Sequence, residues 1–202
     1  MLWLVLPAAG FAFGSIPFSF LIARSRGIDL RREGSGNVGA TNLARVCGKK
    51  AGAAGFALDV LKGAIPAGAS LLAGAPGELR AITALAAIAG HVFTPWLGFR
   101  GGKGVATALG ALAVLVPLPA VAALAIFALV LALTKVVSIS SVSAALAVTP
   151  LQVFLGARED RLLFSLLCGA AALLLLARHY GNIVRLLRGT EHRFGAGKGD
   201  AT

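Results

Sequence analysis

The chain has 202 residues, 57% of them hydrophobic and only 13% charged, with a net charge of +11 and a mean hydropathy of +0.86. So much apolar surface at this length argues against a soluble domain and for a polytopic membrane protein. The positive charge does not point to nucleic acid, because the basic residues cluster between apolar spans, the distribution that the positive-inside rule produces.

In chain order, Leu2–Ala23 is long enough to cross a bilayer. Gly10 and Gly14 form a small-xxx-small pair suited to close helix packing, and Pro17 predicts a kink near the inner end. No basic residue precedes this span and Arg24 and Arg26 follow it, the reverse of a secretory signal, so no cleavage is expected and the N-terminus should lie outside. Arg24–Lys50 reads as a cytoplasmic loop with seven basic residues. Ala51–Leu72 is a second span, carrying Asp59 and Lys62 near its cytoplasmic end, and Gly74–Leu79 is an outer turn. Arg80–Leu97 is a third span that brings His91 and Trp96 to the cytoplasmic face, followed by the glycine-rich basic turn Gly98–Gly104.

Val105–Thr134 as one helix would run about 45 Å, well beyond the hydrocarbon core. Basic residues flank both ends, and Pro117 and Pro119 sit near the middle, so the stretch is expected to be a hairpin turning outside. Lys135–Ser143 reads as a second serine-bearing cytoplasmic segment, leading into a sixth span that ends near Leu155. Gly156–Arg161 is an outer loop, Leu162–Ala177 a seventh span, and Arg178–Thr202 a basic cytoplasmic tail. The expectation is an all-α polytopic membrane protein of seven transmembrane helices, N-terminus outside and C-terminus cytoplasmic, built as one domain over residues 1–202. Of 19 Lys and Arg, only Arg80, Arg158 and Arg161 fall outside. Cys47 and Cys168 are not expected to pair, since Cys47 should face a reducing compartment.

Gly34–Arg45, GSGNVGATNLAR, holds three glycines, two asparagines, a serine and a threonine in twelve residues and closes on an arginine. Small polar residues of this kind let backbone come close to a ligand, with hydroxyls, amides and N–H groups turned toward it. The other polar residues gather on the same side: His91, the turn Gly101–Gly104, Ser138 to Ser143, then His179, Asn182 and Arg185. Lys and Arg beside glycine-rich backbone, with hydroxyls and amides nearby, suit phosphate. Taken singly, such glycines are often only turns and such basic residues only topology signals. Four segments arriving together suggest a shared anion pocket at the inner interface, for a substrate anionic at one end and lipidic at the other. Asp59 and Lys62 share one helix face; an intramembrane pair of this kind is either functional or a mutually neutral brace.

Several chemistries lack their motifs. The GGKG turn is not a Walker A loop, because Leu97 occupies the first glycine position and Gly104 stands where Ser or Thr belongs. The three histidines form no H-E-x-x-H, and there is no G-x-S-x-G elbow. No metal and no organic cofactor are indicated. A small transporter for organic phosphate would also want glycine turns and intramembrane charges, but transporters bind near the midplane and usually show repeats, and no repeat is present here. A structural or assembly partner without chemistry would leave the polar segments unexplained.

Gly34–Arg45, Asp59–Pro66 (DVLKGAIP), His91–Gly104 (HVFTPWLGFRGGKG), Ser138–Ser143 and the tail from His179 through Asn182 and Arg185 to Gly189 and Glu191 closely resemble the bacterial membrane acyl-phosphate:glycerol-3-phosphate acyltransferase family. The resemblance covers nearly the whole chain in order. It implies transfer of a fatty acyl group from acyl phosphate to the sn-1 hydroxyl of glycerol 3-phosphate, giving lysophosphatidate and inorganic phosphate. It implies catalytic roles for Ser35, Arg45, Lys103, Ser141 and His179. Substrate-binding roles fall to Asn37, Thr41, Asn42, His91, Gly102, Gly104, Asn182, Arg185 and Glu191. Within these sets, Arg45, Lys103, His179 and Asn182 would hold glycerol 3-phosphate. Ser35, Thr41, Asn42, the Gly102–Gly104 backbone and Ser141 would hold the acyl phosphate, its chain running between helices. The soluble glycerol-phosphate acyltransferases carry a histidine followed by an aspartate after four intervening residues, and none of His91, His179 or His192 has that neighbour. The expected setting is the bacterial cytoplasmic (inner) membrane, with the site at the cytoplasmic face and the protein a monomer among membrane lipid.

Overall fold

The computed structural model describes residues 1–193; positions 194–202 of the expected cytoplasmic tail lie outside the described residues. Among the described residues all regular structure is helical. The elements are α1 (Leu2–Gly14), α2 (Phe18–Arg24), α3 (Ala40–Cys47), α4 (Lys49–Leu72), α5 (Gly77–Val92), α6 (Val105–Leu115), α7 (Pro117–Thr134), α8 (Val137–Leu155), α9 (Arg161–Arg178) and α10 (Tyr180–Leu187). Among the described residues, five stretches are long and apolar enough to cross a membrane: Leu2–Arg24, α4, α7, α8 and α9. The shorter α5 and α6 are buried among them.

The first apolar stretch is two helices rather than one kinked span. Pro17 has no N–H to continue the ladder, and the chain breaks between Gly14 and Phe18. At the break the Ile16 carbonyl accepts from the Phe18 N–H at 3.0 Å, and Lys62 of α4 donates to the same oxygen at 2.8 Å. α1 lies directly on α5. A Cβ on Gly14 would strike the Ala87 backbone, and one on Gly90 would strike the Phe11 carbonyl, so the expected glycine face is real and shared by both helices. α4 and α6 meet the same way, through Gly63 against Thr107 and Gly110 against Val60.

Several expected boundaries shift. The third span begins at Gly77 and ends at Val92, so half of the Gly74–Leu79 turn is helical and Phe93–Leu97 lies outside the α-helix. Pro95 starts a short 3-10 turn there, pinned to the α1–α2 break by Thr94 Oγ1 donating to the Ser15 carbonyl (2.6 Å) and Trp96 Nε1 donating to Ser15 Oγ (3.0 Å). The Val105–Thr134 hairpin is present, turning at Val116 just before the first proline. The serine segment is not a loop: Ser138 to Ser143 are the first turns of α8, where Ser140 and Ser141 donate back to the Val136 and Val137 carbonyls. α10 also replaces part of the expected tail. The core is alanine-rich, with Ala84, Ala111, Ala120, Ala145 and Ala171 packed around Ile88, Leu167 and Cys168. Cys47 and Cys168 are both free thiols.

Candidate active site

The start of α4, the end of α5, the start of α6, the end of α7, the start of α8 and the end of α9 lie at the same end of the bundle. The polar segments meet there. The first wall is the glycine-rich stretch, whose second half is helical rather than loop: Leu43 packs with Leu30, Ala23 and Ala51, leaving α3 with one apolar face. Asn42 is the organiser. Its Oδ1 accepts from the Ser35 N–H (2.9 Å) and Arg45 Nη1 (3.2 Å), while Nδ2 donates to the carbonyls of Leu30 (3.2 Å) and Glu33 (2.9 Å). Both lone pairs and both hydrogens of the amide are thereby committed. Asn37 Oδ1 accepts from the Gly39 N–H at 2.9 Å, a local turn leading into α3. The hydroxyls of Ser35 and Thr41 and the guanidinium of Arg45 border the cavity.

The second wall is the GGKG turn, laid on the end of α5. The Gly101 and Gly102 N–H groups donate to the carbonyls of Val92 (3.0 Å) and His91 (3.2 Å), and Arg178 Nη2 donates to the Gly101 carbonyl (3.0 Å). A Cβ on Gly101 would enter the His91 carbonyl and one on Gly102 the His91 imidazole, so the approach needs glycine. Gly104 sits at φ +85°, left-handed backbone, and opens α6. Lys103 is thereby held at the cavity beside the N-terminus of α6, whose first N–H groups have no intrahelical partner. Burial, with Arg185, Arg45 and Arg178 nearby, outweighs Glu191 and lowers the Lys103 ammonium to about 8.

The third wall is α8 with the α9–α10 junction. Glu191 accepts from Ser138 Oγ (3.0 Å), Asn182 Nδ2 (2.6 Å) and Arg185 Nε (2.8 Å). Burial opposes its ionisation, but these donors outweigh burial and hold the carboxyl below its ordinary range. His179 Nδ1 lies 2.7 Å from the Leu175 carbonyl. A carbonyl can only accept, so Nδ1 carries the proton and Nε2 keeps its lone pair. Burial first, then the Lys103 charge, lowers this imidazole to about 4, leaving it neutral at neutral pH.

These walls enclose a cavity of about 130 Å³. Ser35, Asn37, Thr41, Asn42, Arg45, His91, Lys103, Gly104, Ser141, His179, Asn182, Arg185 and Glu191 all line it, and Gly102 lies beneath it against His91. Ser138 of the expected serine segment lines it too, as do Phe56, Asp59, Phe127 and His192, which the sequence did not place in the site. For Asp59 a signal existed, a carboxylate inside an apolar span. The Asp59 Oδ1–Lys62 Nζ distance is 3.0 Å, and Ser19 donates to Asp59 Oδ2 at 3.2 Å. Phe56, Val105, Phe127 and Ser141 also line a second cavity of about 80 Å³ between α6, α7 and α8, walled by Ala108, Ala120, Ala123, Ala144 and Ala145. The polar pocket therefore continues into an apolar groove.

Helices that suit a bilayer, a cationic pocket at one end and an apolar groove leading from it define a multi-pass membrane protein that handles an amphiphile with an anionic head. The chain belongs to the glycerol-3-phosphate acyltransferase family, whose model matches residues 4–189. It is thus an acyltransferase of phospholipid synthesis. The glycerol-3-phosphate acyltransferase of Geobacter metallireducens is 48% identical over 193 residues, 96% of this chain and 98% of that one. The Aquifex aeolicus protein of the same name is 40% identical over 185 residues, 91% and 95% of the two chains. A crystal structure of PlsY (YgiH), an integral membrane glycerol 3-phosphate acyltransferase in its glycerol 3-phosphate form, superposes with a TM-score of 0.89 at 39% identity, covering 96% of each chain. Its lysophosphatidic acid form gives 0.86 at 38% identity, covering 96% of this chain and 95% of that one.

Proposed function

We propose that the acyl donor is a fatty acyl phosphate and that the sn-1 hydroxyl of glycerol 3-phosphate is acylated, giving lysophosphatidate and inorganic phosphate. The observation that carries this reading is the join between the polar pocket and the apolar groove at Ser141 and Phe127. A chain lying in the groove presents its carbonyl at the polar mouth. Three cations, Arg45, Lys103 and Arg185, border that mouth against the single carboxylate of Glu191 and the Asp59 already paired with Lys62. That excess suits two phosphates side by side. The glycerol 3-phosphate and lysophosphatidic acid forms of the PlsY structures support an acceptor and product of this kind.

In this reading Arg45, Lys103, His179 and Asn182 hold the acceptor phosphate and glycerol. The donor phosphate lies against Ser35, Thr41, Ser141 and the start of α6, with Asn42 shaping the wall. The acceptor hydroxyl attacks the acyl carbonyl, the bond from that carbon to the phosphate oxygen breaks, and an oxygen of the departing phosphate takes the hydroxyl proton. Phosphate is already a fair leaving group, so positioning and charge neutralisation supply most of the acceleration. A neutral His179 lowered to about 4 is a weak base, and its Nε2 suits a hydroxyl as hydrogen-bond acceptor.

The chain acts as one unit, a monomer in the bacterial inner membrane. Counting α1 with α2, then α4 to α9 singly, gives seven crossings, with the site on the cytoplasmic face and the N-terminus outside. The basic residues support that orientation: Arg80, Arg158 and Arg161 sit at the end of the bundle away from the site, while the glycine-rich wall and its flanks are strongly basic. The test is purified protein in detergent given acyl phosphate and glycerol 3-phosphate, with phosphate release and lysophosphatidate measured. Lysophosphatidate formed at the sn-1 position with equimolar phosphate is the expected result. No release with this donor would overturn the reading.

A further inference from the structure

Asp59, Lys62 and His91 form a buried charged cluster that the transfer chemistry above does not use. Lys62 is explained by its neighbours, since it neutralises Asp59 and caps the Ile16 carbonyl where the first span breaks. His91 is not. Its Nδ1 is buried without a hydrogen-bond partner and stands 3.8 Å from Asp59 Oδ1, too far for a hydrogen bond. The other edge of the ring, at Nε2, fills the space directly under Gly102, and the His91 carbonyl holds the Gly102 N–H. The imidazole is thus the floor of the turn that carries Lys103, and Asp59 stands at the ring's far edge.

We propose that Asp59 is a positioning residue for Lys103, acting through His91. The carboxylate, paired with Lys62, accepts a hydrogen bond from His91 Nδ1 in the substrate-bound site and so fixes the ring, and the ring sets the height of Gly102 and Lys103 above the pocket. The 3.8 Å gap is the joint that tightens when a substrate phosphate draws Lys103 inward, as hydrogen bonds of free active sites commonly do on binding. A simple brace would not need the Asp59 side chain to border the pocket, nor an imidazole wedged against a glycine. This inference rests on the reading that Lys103 holds substrate phosphate.

A double-mutant cycle tests it. His91→Ala is expected to lower kcat/KM about thirtyfold and Lys103→Met about a hundredfold, and the two together should be no worse than Lys103→Met alone. Losses that multiply would overturn the inference, because His91 would then act independently of Lys103. His91→Asn, with an amide N–H near the Nδ1 position, should recover most of the activity that His91→Leu loses. Equal losses would mean that the ring only fills space. These two variants, placed in the Lys103→Met background, repeat the cycle if the alanine variant does not fold. Asp59→Asn combined with Lys62→Met removes both charges together and should match the kinetic loss of His91→Ala; wild-type kinetics there would also overturn the inference. Full activity in Lys103→Met instead contradicts the phosphate assignment of Lys103.

Discussion

The two joined cavities are built by opposite means. The polar pocket is made of side chains already committed to one another, such as the Asn42 amide with four partners and Glu191 with three. The groove is made of what is missing, a run of alanines facing each other across α6, α7 and α8. A cradle of that kind is sensitive to the loss of a single atom pair. A groove of that kind is sensitive to added volume. Substitutions should therefore separate the two regions by the type of damage they cause.

The largest effect should come from Arg45→Ala, which removes a cation at the pocket whose guanidinium is tied to Asn42 Oδ1. Turnover should fall by about a thousandfold while the melting temperature in detergent barely changes, and Arg45→Lys should restore only part, since a point charge does not replace a fork. Unchanged kinetics would mean the pocket is misplaced. The next effect is pH-dependent. Lys103 loses its proton as pH rises through about 8, so its charge is present below that pH and absent above it. The kcat/KM profile should turn down there, by about tenfold per unit, and Lys103→Arg should straighten it.

Ala123→Phe probes the groove instead. Filling it should lower kcat/KM for a long-chain acyl phosphate by about tenfold, the scale of overpacking an apolar site, with a short-chain donor spared. Equal losses for both donors would place the acyl chain elsewhere. The smallest change is expected for His179→Ala, with kcat at saturating substrate reduced less than about tenfold and KM raised. A loss beyond a hundredfold would make His179 the base.

Much of the site was legible because its residue types are unusual for an oily chain. Ser35, Arg45, Lys103, His179 and Glu191 stand out wherever apolar residues surround them, and the GGKG turn reads as close approach even before His91 is seen beneath it. The helical character of α3 and of Ser138–Ser143 was not legible. Asn, Thr and Ser read as loop by local preference, yet Leu43 docking on Leu30 and the back-donation of Ser140 and Ser141 make those stretches helical. The early end of α5 was hidden in a similar way, because Phe93–Leu97 is apolar enough to continue a span while Pro95 and the hydrogen bonds to Ser15 turn it aside.

By itself the sequence determined the membrane class, the sites of the charges and the family, because hydropathy, charge and motif are properties of neighbouring residues along the chain. Only the tertiary structure decided that Asp59 borders the pocket, that His91 lies under Gly102, and that Ala123 and Ala145 enclose a groove. A buried carboxylate means different things facing lipid, a lysine or a cavity, and an alanine makes a void only when what faces it is also small.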